Sequence, residues 1–254
     1  MKKKTALITG ATSGIGKAIA ERLAKEDIRL ILCGRRAPLL AELAEKLSAV
    51  TEVFTLVFDV REQASVLEAL DSVPESFREI DILVNNAGNA HGLDSLAEGD
   101  MEDWNAMMDG NVKGLLYVSK PVIIGMKKRN RGHIINISSV AARQTYANGV
   151  VYCASKKAVD VISEGMRIEL TEFGIKVTNI QPGAVATDFS RVRYKGDEKK
   201  AATVYEGYEA LLAEDIADIV SYVLNVPERV SIAEIAVFNK AQAEPRMIHR
   251  NLQF

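Results

Sequence analysis

Short apolar runs alternate along this chain with longer stretches whose apolar residues recur every three to four positions. The short runs, at residues 4–9, 28–33, 53–58, 81–84, 133–137, 175–180 and 232–237, read as strands. The longer stretches, at residues 38–47, 63–73, 101–129, 150–173 and 214–223, with another starting near Lys17, read as amphipathic helices. Their alternation predicts an α/β fold: one doubly wound domain with a central parallel sheet of about seven strands, covered on both faces. Gly174 is placed to end the helix before it in the left-handed conformation, and Pro121 should kink or divide the long helix around it. No repeat, low-complexity tract or linker divides the chain, so residues 1–254 form one domain. The least regular stretch, 189–208, is rich in Arg, Lys, Glu and Gly and fits a lid near 189–210.

Composition narrows the function classes. A chain of 254 residues with 48% apolar residues and a formal net charge of −2 can bury a sizeable core and carries no excess of basic residues for nucleic acid. The start Lys2-Lys3-Lys4 is too short for a nucleic-acid patch. No apolar stretch approaches the roughly 20 residues of a membrane span, and no signal peptide is visible, so a soluble, cytoplasmic protein without a membrane partner is expected. Cys33 and Cys153 have neither metal-ligand spacing nor a disulfide pattern, and His91, His133 and His249 are scattered. Neither a metal site nor a histidine-based nucleophile triad has support.

Two local patterns carry chemistry. Tyr152 and Lys156 stand four apart on an expected helix, which stacks them on one face. A phenol with a pKa of roughly 10 is a poor proton exchanger at neutral pH, and a neighbouring ammonium lowers that value. The pair suits general acid/base work. The second pattern is the turn Gly10-Ala11-Thr12-Ser13-Gly14-Ile15-Gly16 between the first strand and the first helix. Gly10 allows a tight turn, Gly14 lets backbone N–H groups approach a pyrophosphate, and Gly16 permits close packing of helix on strand.

Taken in order, the turn ending at Gly16, Asp59-Val60, Asn85-Asn86-Ala87-Gly88, Asn111, Ser139 thirteen residues before Tyr152, the Tyr152/Lys156 pair and Pro182-Gly183 resemble the short-chain dehydrogenase/reductase family from the first strand to nearly the C-terminus. The resemblance implies a Rossmann-type fold and an oxidoreductase that moves hydride between a nicotinamide and a carbonyl or secondary alcohol. Tyr152 would be the acid/base group. Lys156 would lower its pKa and hold the nicotinamide ribose, Ser139 would hydrogen-bond the reacting oxygen, and Asn111 would hold a water linking Lys156 to solvent. Asp59 would accept from the adenine amine, with Val60 beside the ring and Asn86 lining the cleft. Pro182, Gly183, the Val185 backbone and the Thr187 hydroxyl would hold the carboxamide.

Cofactor choice is read after the second strand, where an Asp or Glu would bind the ribose hydroxyls of NAD. Gly34 stands there instead, followed by Arg35 and Arg36, which suit a 2′-phosphate. NADP is therefore expected. Within the family the chain is most similar to NADP-dependent 3-hydroxy acid dehydrogenases, at 33–36, 80–88, 131–137 and especially 189–197. Two features depart from that likeness: the 182–189 stretch is about one residue shorter, and Ser138 replaces a common glycine. A small 3-hydroxy acid such as serine or allo-threonine is expected as substrate, its carboxylate met by Arg193 in preference to Lys195. The alternatives are a reductase of a bulkier ketone (3-oxoacyl thioester, sugar or diketone) and a non-catalytic NADPH-binding sensor or interaction protein. Members are commonly homotetramers built through the helices after Met101 and Val150, where Leu115, Val118, Val159 and Ile162 fit either an interface or the core.

Overall fold

The computed structural model describes residues 3–251; Lys2 and the outermost residues of the expected 1–254 domain lie outside the described residues. Seven strands, β1 (Thr5–Thr9), β2 (Arg29–Gly34), β3 (Val53–Val57), β4 (Ile82–Asn85), β5 (Gly132–Ile137), β6 (Ile175–Pro182) and β7 (Glu234–Val237), pair in parallel in the order β3-β2-β1-β4-β5-β6-β7. This is the doubly wound, Rossmann-type arrangement expected from the alternation of strand and helix.

Strand residues point alternately to the two faces, and each face is dry. Ile8, Leu30, Leu32, Val84 and Ile135 pack beneath α1 (Gly14–Leu23), α2 (Ala37–Ser48) and the C-terminal helix Ala213–Asn225, against Ile19, Leu40, Ile216 and Val220. Leu7, Ile31, Leu83 and Ile134 pack on the other side against Val66 of α3 (Gln63–Asp71) and against two longer helices at 114–129 and 150–170. A parallel strand buried on both faces needs a continuous apolar run, which is why Leu30 to Leu32 shows no polar alternation.

The first helix begins at Gly14, ahead of Lys17. The expected 101–129 helix is divided, but not at Pro121. It consists of α4 (Met101–Met108), a turn of π-helix (Asp109–Lys113) and α5 (Gly114–Arg129), with Pro121 inside α5. Gly114, the first residue after the π-turn, leaves room for Val60, whose Cγ2 would lie 2.8 Å from a Cβ there. The next helix, α6 (Val150–Leu170), passes through a short turn to Gly174, whose φ of +64° matches the expected left-handed stop.

The stretch expected to be irregular holds two short helices, α7 (Phe189–Arg193) and α8 (Glu198–Thr203), followed by α9 (Ala213–Asn225). Asp197 caps α8, and Tyr205 ties the stretch down by accepting from Ser190 Oγ and donating to Val185 O, both at 2.8 Å. Leu115, Val118 and Val159 belong to the core, and Ile162 packs against it. The large apolar residues that α5 and α6 present outward are Leu116, Ile124, Val150, Val161 and Ile168. No helix among the described residues is long and apolar enough to cross a membrane.

Candidate active site

The strand order reverses between β1 and β4, and crevices open outside the carboxyl ends of strands at such a reversal. A cleft of about 400 Å³ lies there. One wall is the glycine turn. Thr9, buried at the end of β1, accepts from the Asn86 and Ala87 backbone N–H groups at 3.1 and 3.0 Å, and Asn86 Nδ2 donates back to Thr9 O and Gly10 O at 3.0 and 3.2 Å. A Cβ on Gly16 would lie 2.3 Å from Gly10 O, so only glycine fits. Gly10 and Gly14 both have positive φ, and Ala11 ties the turn to β2 through its N–H on Cys33 O at 3.0 Å. Thr12, Ser13, Gly14 and Ile15 face the cleft, while Ala11 and Gly16 stand behind it.

Gly34, Arg35 and Arg36 form the mouth. Arg36 donates to Thr12 Oγ1 at 2.6 Å and to Ser13 Oγ at 2.7 Å, which draws its guanidinium over the helix N-terminus. Arg35 lies 3.3 Å from Asp59 Oδ2. No carboxylate projects from position 34. The carboxylate nearby, Asp59, is clasped by Arg61, which donates at 2.7 Å to Oδ2 and through its backbone N–H at 3.0 Å to Oδ1. Burial pushes the Asp59 carboxyl up, but the Arg61 hydrogen bonds and the Arg35 charge outweigh it and hold the group below its usual range. Two guanidinium groups, the Thr12 and Ser13 hydroxyls and a helix start without a side-chain cap fit a phosphorylated dinucleotide. Arg61 was not singled out from sequence, although it stands two residues after Asp59, the spacing at which an Asp side chain meets a backbone N–H.

At the inner end, Ser139 follows β5 and Tyr152 and Lys156 lie on the first turns of α6, all three buried. Ser139 Oγ donates to Pro182 O at 3.4 Å and accepts from Ala141 N–H at 3.1 Å, and the hydroxyl draws the Tyr152 pKa down. Lys156 Nζ donates to Ile137 O at 3.0 Å. Asn111, in the π-turn, is fully engaged with protein: its amide nitrogen donates to Asn89 O and Ser155 Oγ at 2.9 Å each, and its oxygen accepts from Asn89 N at 2.7 Å. It stands behind Gly88 rather than on the cleft wall, yet both its oxygen and Lys156 Nζ lie within 3.4 Å of where a Gly88 Cβ would be. Asn89 and Ser155, which position Asn111, were not singled out from sequence, although Asn89 directly follows the 85–88 run.

The far wall comes from β6 and the segment after it. Pro182, Gly183, Val185 and Thr187 all line the cleft. Thr187 faces the glycine turn, with its Cγ2 3.3 Å from a Cβ placed on Gly14, and the Val185 carbonyl is taken by Tyr205. Val60 lines the opposite side above Gly114.

Burial pushes Tyr152 up to about 12, and the cation that pulls against it is Arg193. Its guanidinium carbon lies 4.5 Å from the Tyr152 ring centroid and 5.2 Å from that of Phe189, and it donates to Tyr146 Oη at 3.0 Å. Arg193 Nε is buried without a partner. The Arg193 backbone oxygen accepts from Gly92 at 3.0 Å, and Lys195 pairs with Asp103 at 2.9 Å, fastening α7 over the site. Arg193 therefore reaches Tyr152 from above, whereas Lys195 is turned to Asp103. Tyr146 and Phe189 left no sequence signal, since loops far apart in the chain bring them together. Burial also presses Lys156 down to about 8, with Asp160 opposing.

Residues 4–198 match the family described as short chain dehydrogenase. The NADP-dependent 3-hydroxy acid dehydrogenase YdfG of Salmonella typhi is 42% identical over 247 residues, covering 96% of this chain and 99% of that one. A probable NADP-dependent dehydrogenase of Haemophilus influenzae is 41% identical over 244 residues, covering 96% of each chain. Among solved structures, the closed form of serine dehydrogenase complexed with NADP+ superposes with a TM-score of 0.91 at 40% identity, covering 97% of this chain and 99% of that one.

Proposed function

The chain belongs to the short-chain dehydrogenase family and is an NADP-dependent oxidoreductase acting on CH–OH groups, and from that premise we propose that its substrate is a small 3-hydroxy acid such as serine or allo-threonine. The observation that carries the reading is the position of Arg193, a half-buried guanidinium whose Nε is buried without a partner, stacked on the Tyr152 phenol beside the inner end of the cleft. A carboxylate entering there finds a cation able to pair with it bidentately. A neutral ketone does not need one. The 3-hydroxy acid and serine dehydrogenases named above are relatives over almost their whole length, which supports the same substrate class.

When bound, NADP(H) supplies or accepts the hydride. Around it the chain's residues divide the work. The glycine turn, residues 10–16, would receive the pyrophosphate, Arg35 and Arg36 the 2′-phosphate, Asp59 and Val60 the adenine, and Asn86 would brace the turn beside it. Pro182, Gly183, Val185 and Thr187 would hold the carboxamide end. In reduction Tyr152 gives its proton to the carbonyl oxygen of the substrate, and in oxidation it takes the hydroxyl proton. Ser139 donates a second hydrogen bond to the same oxygen, where charge develops in the transition state. Lys156 places a positive charge behind Tyr152 and would hold the nicotinamide ribose. Asn111 fixes the wall that faces the Lys156 ammonium.

A lid near 189–210 would close the dry space over Tyr152, within a single 1–254 domain. Outward Leu116, Ile124, Val161 and Ile168 support a homotetramer built on α5 and α6. Two buried free thiols, Cys33 and Cys153, suit a reducing compartment, so we place the protein in the cytoplasm. The deciding measurement is NADP+ reduction with 3-hydroxy acids, their methyl esters and acyl thioesters. Preference for the free acid over its ester supports the reading. Equal rates, or preference for the thioester, would move the assignment to a bulkier-ketone reductase.

A further inference from the structure

The sheet ends before the far wall of the cleft does. β6 pairs with β7 as far as Pro182 beside Val237, and Gly183 N–H still finds Val237 O at 2.7 Å. The next backbone donor, Ala184 N–H, lies past the end of β7. A partly buried N–H has to be met, and here a side chain takes over from the strand: Gln242 Oε1 accepts from Ala184 N–H at 2.9 Å. Gln242 is only 7% exposed and stands directly behind Gly183, where a Cβ would run into its Oε1. Only glycine leaves room for the amide at that point.

The Gln242 side chain is itself held. In the turn after β7, buried Asn239 accepts from Ala241 N–H through Oδ1 at 3.0 Å and from Gln242 N–H through its carbonyl at 3.0 Å, and its Nδ2 donates to Gln242 Oε1 at 3.3 Å. Beyond the turn the chain folds back, with His249 N–H on Ala241 O at 2.9 Å and Asn251 N–H on Gly207 O at 2.6 Å. The acceptor is therefore aimed by an anchored backbone. The segment it holds is pinned from the other side as well: Leu211 N–H donates to Ala184 O at 3.1 Å, and Tyr205 Oη donates to Val185 O at 2.8 Å. Gly183 and Val185, on either side of Ala184, line the cleft, and so does Thr187.

We propose that Gln242 is a positioning residue for the nicotinamide end of the cofactor: by holding the Ala184 N–H from behind, it sets the 183–185 backbone where the carboxamide docks. This rests on the assignment of Pro182, Gly183, Val185 and Thr187 to the carboxamide. Hydride moves only between closely aligned atoms, so a displaced wall costs binding and alignment together. Without the Gln242 oxygen the Ala184 N–H loses its acceptor, and the backbone has to shift to find another. The effect is confined to the nicotinamide, because the adenine and the phosphates fall to the glycine turn, Arg35, Arg36 and Asp59, which are built on the ends of β1, β2 and β3.

The test compares two ligands in the full-length protein. NADPH carries the nicotinamide; adenosine 2′,5′-bisphosphate keeps the adenine and the 2′-phosphate and lacks it. Gln242→Met, similar in length but without the acceptor, should raise the Kd of NADPH about tenfold by fluorescence titration, while the Kd of the bisphosphate, measured by displacement of NADPH, stays within about twofold. Gln242→Asn, one carbon shorter, should split the two ligands in the same way and decides the matter if Gln242→Met does not fold. Equal weakening of both ligands, or an NADPH Kd within about twofold of the parent in whichever variant folds, overturns the proposal. A separate measurement on the unaltered protein guards the premise: exchange of the Ala184 amide proton, followed with 15N-labelled alanine, should slow with NADP+ and not with the bisphosphate. Equal slowing by both removes the carboxamide from the 182–187 wall and the proposal with it, whereas a failed variant with slowing specific to NADP+ removes Gln242 alone.

Discussion

At the mouth of the cleft Arg35 is two-thirds exposed and leans on Asp59, while Arg36 rests on the Thr12 and Ser13 hydroxyls; at the inner end Arg193 lies on the Tyr152 and Phe189 rings with one nitrogen unpartnered. The same side chain does different things in the two places. In water a guanidinium is screened and selects an anion mainly by geometry, so the mouth suits discrimination between two cofactors that differ by one phosphate. In the dry end a guanidinium acts on whatever titrates beside it, here the phenol itself. The mouth should therefore govern cofactor affinity, and the inner end both substrate choice and proton transfer.

The largest expected effect is at the inner end. Tyr152→Phe keeps the ring on which Arg193 stacks and removes only the proton, so kcat should fall by at least about 100-fold with NADPH binding unchanged by fluorescence titration. A fall of less than about tenfold would remove Tyr152 from its role.

Both regions must be compared above pH 6.5, because the sheet between them has its own proton-sensitive point. Burial, helped by the charges of Lys176 and Lys4, presses His133 down to about 4, and its ring hydrogen-bonds Thr178 Oγ1 at 2.9 Å. The folded pKa lies below the unfolded value of roughly 6.5, so the unfolded chain binds the proton first. Stability present above pH 6.5 is lost as pH falls towards 4, by about 3 kcal/mol from this group. Urea unfolding at pH 7 and pH 4.5 should show a smaller difference in His133→Gln than in the parent, and equal differences would refute the assignment.

Arg193→Ala should slow the 3-hydroxy acid about 10- to 100-fold and its methyl ester less, erasing the preference for the acid. Loss of both to the same degree would mean that Arg193 serves Tyr152 alone. The smallest effect belongs to the mouth. Replacing Arg35 and Arg36 together by Ala should raise KM for NADPH about tenfold and leave NADH nearly unchanged. If kcat changes instead of KM, the contrast between the two ends is wrong.

The region nearest the start of the chain was the easiest to read. The turn from Gly10 to Gly16, the absent acid at Gly34 and the i, i+4 pair on α6 are local patterns whose geometry follows from backbone conformation within a few residues. Strand and helix alternation likewise announced the sheet, because period and burial are coupled along a single element. Pro121 misled because it disfavours a helix locally, yet it lies inside α5 and the break falls at the π-turn Asp109–Lys113. Contacts between segments distant in the chain hid Tyr146 and Phe189 around Arg193. By itself the amino-acid sequence determined the fold, the cofactor and the placing of Tyr152 and Lys156 one turn apart on one helix, since these rest on short-range periodicity and on residue types at fixed spacing. Tertiary structure alone decided the electrostatics at Tyr152, because burial and the approach of α7 set which charges share its dry surroundings, and both arise only when distant segments close on one another.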